Sequence, residues 1–126
     1  MIKEKINLDA NNQNLLTENI EQLREIANLK DNWDGEGGLS FGKGFIQEVI
    51  DLVSTMQLQP DIAPTGRGSI DFEYGSRKKG HKYLGLEIFE KDRRVLAYSK
   101  DETDRSTHEE IGMEDINSRV NEFSAI

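Results

Sequence analysis

The period of the hydrophobic pattern changes at the turn of residues 65–68, and this change limits the possible folds most. Before the turn, apolar residues recur at the three- and four-residue spacing of amphipathic helices. After it they alternate with polar residues, as in half-buried strands. Pro60 and Pro64 end the helical part and bracket a short extended segment. Helices followed by strands favour an α+β fold over a doubly wound parallel sheet.

Apolar stripes at helical spacing predict two helices before the strands and one after them. Ser40 is the predicted N-cap of the second helix, because its hydroxyl can accept a hydrogen bond from a free N–H of the first turn. Residues 1–12 are polar and are expected to form an N-terminal arm. The predicted helices run from about Asn14 to Leu29, from Phe41 to Leu58 and from about Met113 to Ser124.

Alternating residues predict an antiparallel sheet of three or four strands, the first two joined as a hairpin. The third run, Arg94 to Ser99, has apolar residues on both faces, and either face could be the buried one. Residues 100–110 contain no apolar residue and are expected to form an exposed, mobile loop. The apolar positions of the hairpin are Ile70, Phe72 and Tyr74, then Leu84, Leu86 and Ile88.

Length and charge describe one highly charged domain. A chain of 126 residues suffices for one ordinary core, since it buries roughly two-thirds of its unfolded surface. Acidic residues outnumber basic ones by 24 to 16, which gives a net charge of −8. This charge repels phosphate groups, so it disfavours general binding to nucleic acids or anionic membranes and favours a basic partner.

Several classes of protein are excluded by what the sequence lacks. Cysteine is absent, which rules out disulfides, cysteine zinc sites and thiol nucleophiles. No apolar run is long enough to span a membrane. The N-terminus has no apolar segment typical of a secretory signal, so a cytoplasmic location is expected.

The only tryptophan lies in the connector between the first two predicted helices, residues 31–38, which contains three glycines and three carboxylates. A tryptophan often anchors the edge of a core through its ring and its single N–H. Two interpretations remain open. The segment could be a connector pinned by Trp33, or a loop in which Trp33, Asp34 and Glu36 contact a partner or ligand.

Three carboxylates are predicted to share the solvent face of the sheet. Asp71 and Glu73 are two positions apart on one strand, and the hairpin can bring Glu87 beside them. Such a cluster could be a solvated face, a partner-binding surface, a cation site or an acid–base pair. A restriction-type nuclease would carry a lysine two residues after the second acid, but Gly75 and Phe89 stand at those positions.

Positive charge concentrates in the hairpin turn and beside it. This cluster could simply keep a hairpin tip soluble, or it could bind the phosphates of a nucleotide. The two histidines, His81 and His108, fall in predicted loops without a neighbouring nucleophile. We therefore predict no catalytic residue, no metal ligand and no cofactor. The candidate ligand-binding residues are Arg67, Arg77, Lys78, Lys79 and Lys82.

Four segments resemble a loose group of small bacterial and phage proteins, over roughly residues 15–98. They are Asn32-Trp33-Asp34-Gly35-Glu36-Gly37, the prolines Pro60 and Pro64 with Thr65, Gly68-Ser69-Ile70-Asp71-Phe72-Glu73-Tyr74, and Leu84-Gly85-Leu86-Glu87-Ile88. The chain departs from the group at Tyr74, where tryptophan is commoner, and at Gly37-Gly38, where a small residue plus proline is commoner. The resemblance implies the same fold and a bacterial or phage origin, and it carries over no catalytic residue.

Small size, acidity and the lack of a catalytic pattern favour a non-enzymatic binding protein. We expect an immunity protein, an antitoxin-like protein or a phage anti-defence inhibitor that binds a basic effector or toxin, because opposite charge speeds association. The alternatives are a nucleotide-binding module and, third, a metal-dependent hydrolase at the acidic cluster. The predicted partner-binding residues are Trp33, Asp34, Glu36, Asp71, Glu73, Tyr74 and Glu87.

Overall fold

Three helices lie against one face of a five-stranded antiparallel sheet in a computed structural model, which describes the backbone of residues 2–125 and the side chains of residues 12–125. The helices are α1 (Ile2–Ile26), α2 (Lys43–Ser54) and α3 (Ile116–Ser124), with a 3-10 turn at Met113–Asp115 before α3. The strands are β1 (Asp61–Pro64), β2 (Ser69–Gly75), β3 (Tyr83–Phe89), β4 (Val95–Lys100) and β5 (Ser106–Ile111).

The strands follow one another across the sheet in chain order, each antiparallel to the next. This arrangement confirms the α+β class, the antiparallel sheet and the C-terminal helix. The predicted number of strands was too low, because all but the last residue of β5 fall in residues 100–110, which were predicted as a loop. Every residue of β5 except Ile111 is exposed, so the strand has no apolar alternation to reveal it. Its pairing comes from the backbone and from the tight turn before it.

The turn before β5 is closed by hydrogen bonds to a single carboxylate. Asp101 Oδ1 accepts from the backbone N–H groups of Thr103 at 2.9 Å and of Arg105 at 3.0 Å. Asp104 adopts a positive φ of 64°, which lets the chain reverse within three residues. The result is a β4–β5 hairpin in place of the predicted loop.

The starts of α1 and α2 differ from prediction. α2 begins at Lys43 rather than Phe41, and its N-cap is Gly42, whose N–H donates to both carboxylate oxygens of Glu90. Ser40 lies two residues before this N-cap and does not cap α2; its N–H donates to Asp31 Oδ1 at 3.0 Å. α1 is helical from Ile2, so the backbone of the expected N-terminal arm continues the helix; the side chains of residues 2–11 lie outside the description.

The core lies between the helices and the sheet. On β4 the buried residues are Val95 and Ala97, which decides the face that the sequence left open, while Leu96 is 36% exposed on the opposite face. Tyr74 also points into this core, where its hydroxyl donates to the carbonyl oxygen of Leu58 at 2.9 Å. The central buried residues are Leu23, Phe45, Ile46, Val49, Val53, Ile70, Phe72, Leu84, Leu86, Ile88, Ile116 and Val120.

A buried amide pair joins the two N-terminal helices to the first strand. Asn19 on α1 donates to Gln59 Oε1 at 3.1 Å and to the carbonyl oxygen of Pro60 at 3.0 Å. Gln59 Nε2 in turn donates to the carbonyl oxygens of Val53 and Met56 at the end of α2. The chain between α2 and β1 is therefore held from both sides.

Among the described helices, none combines the length and the apolar character needed to cross a membrane.

Candidate interaction surface on the open sheet face

The strand residues that alternate with the core residues point away from the helices and form a surface that we call the open face. On β2 and β3 the core positions are buried, while the intervening acids are only partly so. β4 and β5 extend this face with an exposed leucine, aromatic side chains and further charge. The open face consists of Ser69, Asp71, Glu73, Tyr83, Gly85, Glu87, Phe89, Leu96, Tyr98, Lys100, Ser106, His108 and Glu110.

The structure brings the three predicted acids together. Asp71 lies directly opposite Glu87 across the β2–β3 pair, and Glu73 lies two positions along β2. Glu87 pairs with Arg67, whose Nε donates at 2.7 Å, and accepts from Ser69 Oγ at 2.5 Å. Like charges directly opposite each other on neighbouring strands are unfavourable, so this cluster costs stability.

Among the described residues, Asp71 has neither a hydrogen-bond partner nor an ion-pair partner. Glu73 Oε1, in contrast, lies 3.5 Å from Arg77 Nη2. Its partial burial raises the pKa of Asp71 to about 6, with the neighbouring charges of Glu87 and Glu73 as further causes. The opposite holds for Glu87, whose pKa is lowered by the hydrogen bonds from Arg67 and Ser69. Near neutral pH the open face therefore holds an ionised but poorly compensated carboxylate at Asp71.

We expect Asp71→Asn to stabilise the free protein by about 1 kcal/mol near pH 8, a value reduced from the full effect of the shift because solvent reaches the face. The folded-state pKa of about 6 lies above the ordinary 3.8. The folded form thus binds the proton more tightly, and ionisation destabilises the fold above about pH 6. The gain should fade as the pH drops through the window from about 6 to about 4. Urea unfolding across this range measures it.

Glu102→Gln is the control, because Glu102 is an exposed acid in the turn between β4 and β5 and faces no acid across a strand pair. It should leave stability within about 0.5 kcal/mol of the wild type. A loss of stability in Asp71→Asn at neutral pH would contradict the strain assigned to this carboxylate.

Aromatic side chains lie beside the acids. Tyr83 is only 2% exposed because its ring lies over Gly85, where an added Cβ would come within 2.8 Å of the hydroxyl oxygen. Its hydroxyl accepts a hydrogen bond from Arg77 Nη2 at 2.9 Å. Tyr98 contacts Tyr83, with ring centroids 5.8 Å apart, and His108, with centroids 4.7 Å apart. The aromatic row thus crosses three strands.

The acids and the aromatic row border one shallow pocket of about 550 Å³ on the open face. One side is lined by Asp71, Glu73 and Glu87, and the other by Leu96, Tyr98 and His108. Carboxylates beside exposed aromatic rings can receive a cationic side chain, since the charge meets the acids while its apolar stem covers the rings. Leu96, Tyr98 and His108 were not predicted site residues, and the missing signal was the pairing of β4 with β5.

The tryptophan connector is closed mainly by its own side chains. Trp33 is partly buried, and its Nε1–H donates to the carbonyl oxygen of Leu39 at 2.9 Å. Asp34 Oδ1 accepts from the N–H groups of Glu36 at 2.9 Å and Gly38 at 2.7 Å. These contacts assign Trp33 and Asp34 a clear structural role, whereas the Glu36 side chain is exposed.

The connector lies against the β1–β2 turn, and this turn also reaches the open face. At Gly66 an added Cβ would come within 2.6 Å of Asp34 Oδ2, and the next residue, Arg67, pairs with Glu87. The connector and the acidic cluster are therefore neighbours through two adjacent turn residues. Of the predicted partner-binding residues, Tyr74 is the one that the structure places in the core, 5% exposed and facing away from the open face.

The predicted ligand-binding cations do not converge on one site. Arg67 pairs with Glu87, Arg77 bonds to Tyr83, and Lys82 Nζ donates to the carbonyl oxygen of Phe123 at 2.8 Å. Lys78 and Lys79 lie exposed at the hairpin tip. A nucleotide-binding site would show as a rise in melting temperature with a nucleotide panel.

Within residues 12–125, no group of three or more histidine or acidic side chains is arranged to hold a metal ion. Comparisons of the chain with protein-family models, with curated proteins and with solved structures found no match.

Proposed function

We propose that this chain is a non-enzymatic binding protein whose open face captures a basic protein. The observation that carries the proposal is Asp71, which has no ion-pair partner among the described residues and faces Glu87 beside exposed Leu96 and partly buried Tyr98. Facing carboxylates destabilise the free protein, and a lysine or arginine of a partner would relieve that repulsion. Binding would then lower the pKa of Asp71 and release a proton near pH 6.

The partner class follows from charge and size. A net charge of −8 steers a basic protein towards the surface and can speed association by one or more orders of magnitude at low salt. We therefore propose an immunity protein, an antitoxin-like protein or a phage anti-defence inhibitor that neutralises a basic effector in the cytoplasm. Its contact residues would be the acidic cluster, Glu36 of the connector, and the exposed aromatic and apolar side chains.

The test compares two triple variants of equal charge. The first, Asp71→Asn, Glu73→Gln and Glu87→Gln, neutralises the open face, and the second, Glu18→Gln, Glu21→Gln and Glu25→Gln, neutralises exposed positions of α1. Both change the net charge from −8 to −5. A basic protein is first captured from the source cell, identified and purified. Its affinity and its association rate with each variant are then measured at several salt concentrations.

The open-face variant should lose about tenfold or more in affinity, and the α1 variant should show only a modest fall in association rate. Melting temperatures verify that both variants fold. If both variants lost the same affinity for the basic protein, net charge alone would explain the effect, and the open face would not be the binding surface. Failure to bind any basic protein directly after purification would reject the function.

A further inference from the structure

The two edges of the sheet differ, and the difference concerns main-chain hydrogen bonds. In an antiparallel pair, alternate residues direct their N–H and C=O groups towards the neighbouring strand, and the residues between them direct these groups outward. The β4–β5 hairpin is closed by the N–H of Asp101, which donates to the carbonyl oxygen of Arg105 at 3.0 Å. Counting along the register from this pair, Thr107, Glu109 and Ile111 bond to β4. Ser106, His108 and Glu110 therefore direct their main-chain groups away from the sheet.

At the opposite edge, α1 and a proline cover the corresponding groups. The N–H of Thr65 donates to the carbonyl oxygen of Ser69, so by the same alternation Ile62 and Pro64 face outward on β1. Gln22 Nε2 donates to the carbonyl oxygen of Ile62 at 2.7 Å, and Pro64 has no N–H to offer. Among the described residues, no hydrogen bond of this kind reaches the outward groups of β5.

The β5 edge is also where the negative charge concentrates. Residues 101–115 contain seven acidic residues and one arginine, so they hold six of the eight net negative charges of the chain. Glu109 lies on the opposite face, where it forms an ion pair with Arg119 of α3, so the acid that an added strand would meet is Glu110 on the open face, which approaches Arg94 only at 3.9 Å. Like charge on this edge opposes pairing with a second copy and favours a strand that carries lysine or arginine.

We infer that an extended, basic segment of the partner pairs with β5 as a sixth strand. The inference rests on the proposed function and specifies how the partner is recognised. Main-chain hydrogen bonds to Ser106, His108 and Glu110 supply affinity, and the acids of the open face select basic side chains. The open face continues onto β5 through His108, which lines the pocket with Tyr98. One partner segment could therefore reach the edge and the acidic cluster together.

The probe for this inference is an octapeptide of alternating lysine and threonine with blocked ends. Its control is the same peptide with every backbone amide methylated, which keeps the charge and removes the donors. Amide exchange measured by NMR should show Ser106, His108 and Glu110 unprotected in the free protein and protected with the probe. Thr107 and Glu109 should be protected in both states, since they bond to β4.

The matched variants are His108→Pro and His108→Ala. Proline removes an outward N–H without removing a bond to β4, and alanine removes only the imidazole. The proline variant should bind the probe about tenfold more weakly than the alanine variant, because both lack the imidazole that lines the pocket and only the proline variant also lacks the outward N–H. The melting temperature of each variant verifies that the hairpin remains folded.

Strand addition would be overturned if the methylated peptide bound as tightly as the probe, or if the proline and alanine variants had equal affinity for the probe. Neither result would contradict the open-face proposal, which the triple charge variants test separately. Strand addition would also be overturned if the wild type binds the probe without added protection of the β5 amides while the open-face triple variant loses binding. A dimer in sedimentation whose formation is blocked by His108→Pro would assign the edge to a second copy and reject the basic segment.

Discussion

Replacing Gln59 by glutamate should lower the free energy of unfolding by about 3 kcal/mol at neutral pH. The Gln59 amide donates to the carbonyl oxygens of Val53 at 2.8 Å and Met56 at 3.1 Å, and the residue is only 7% exposed. A carboxylate has no hydrogen to donate, so it would face two carbonyl oxygens at the negative end of α2. Urea unfolding monitored by circular dichroism measures the loss.

Gln57→Glu makes the same chemical change two residues earlier at an exposed position. It should alter stability by no more than about 0.5 kcal/mol. If both variants unfold at the same urea concentration, Gln59 does not hold the end of α2 in the way its contacts indicate.

Gly75→Ala should also destabilise the fold by about 3 kcal/mol, because it combines two costs. Gly75 has a φ of +79°, which an L side chain rarely adopts. An added Cβ would also overlap the carbonyl oxygen of Lys82 and lie 3.0 Å from Phe123 Cζ. The backbone between β2 and β3 must then shift, and this turn positions Arg77 against Tyr83.

Gly80→Ala separates the two costs, since Gly80 has a similar φ of +83° but no atom within 4 Å of the added Cβ. It should lower the free energy of unfolding by about 1–2 kcal/mol, which is the cost of the positive φ alone. Thermal unfolding of both variants, with NMR signals of Tyr83 as a local probe, tests the difference. Equal destabilisation would show that the close approach to Lys82 is relieved without cost.

The open face illustrates how a binding surface and a stable fold make opposing demands. Asp71 faces Glu87, and replacing Asp71 should stabilise the free protein while weakening its hold on a basic partner. Arg67 and Arg77 compensate Glu87 and Glu73 only in part and leave the centre of the cluster negative. If Asp71→Asn gains stability and loses affinity, the cost of ionising Asp71 serves recognition rather than folding.

Much of the fold could be predicted from periodicity. The alternation of Ile70 and Phe72 with Asp71 and Glu73 indicates a strand with one buried and one solvated face. In β2 the two apolar residues are buried and the two acids are partly exposed. Apolar spacing likewise placed α2 and α3 near their observed ranges. These predictions succeeded because burial on one side imposes its period directly on the sequence.

Other features depend on contacts between distant parts of the chain. β5 pairs through its backbone, so its side chains carry no period. The cap of α2 comes from Glu90 and not from Ser40, because the β3–β4 turn reaches it in space. Two tyrosines of the same hairpin also differ, since Tyr74 enters the core and Tyr83 lies over Gly85.

The sequence by itself determined the order of helices and strands except for β5, the acidic character and the common face of Asp71 and Glu73, because these depend on composition and on neighbouring residues. Only the tertiary structure decided that Tyr98 and His108 join that face, that Asp34 supports the connector and that β5 leaves one edge open. Main-chain pairing and contacts between distant residues produce no recognisable pattern in the local sequence, since nearly every residue carries the main-chain N–H and C=O groups that take part in them.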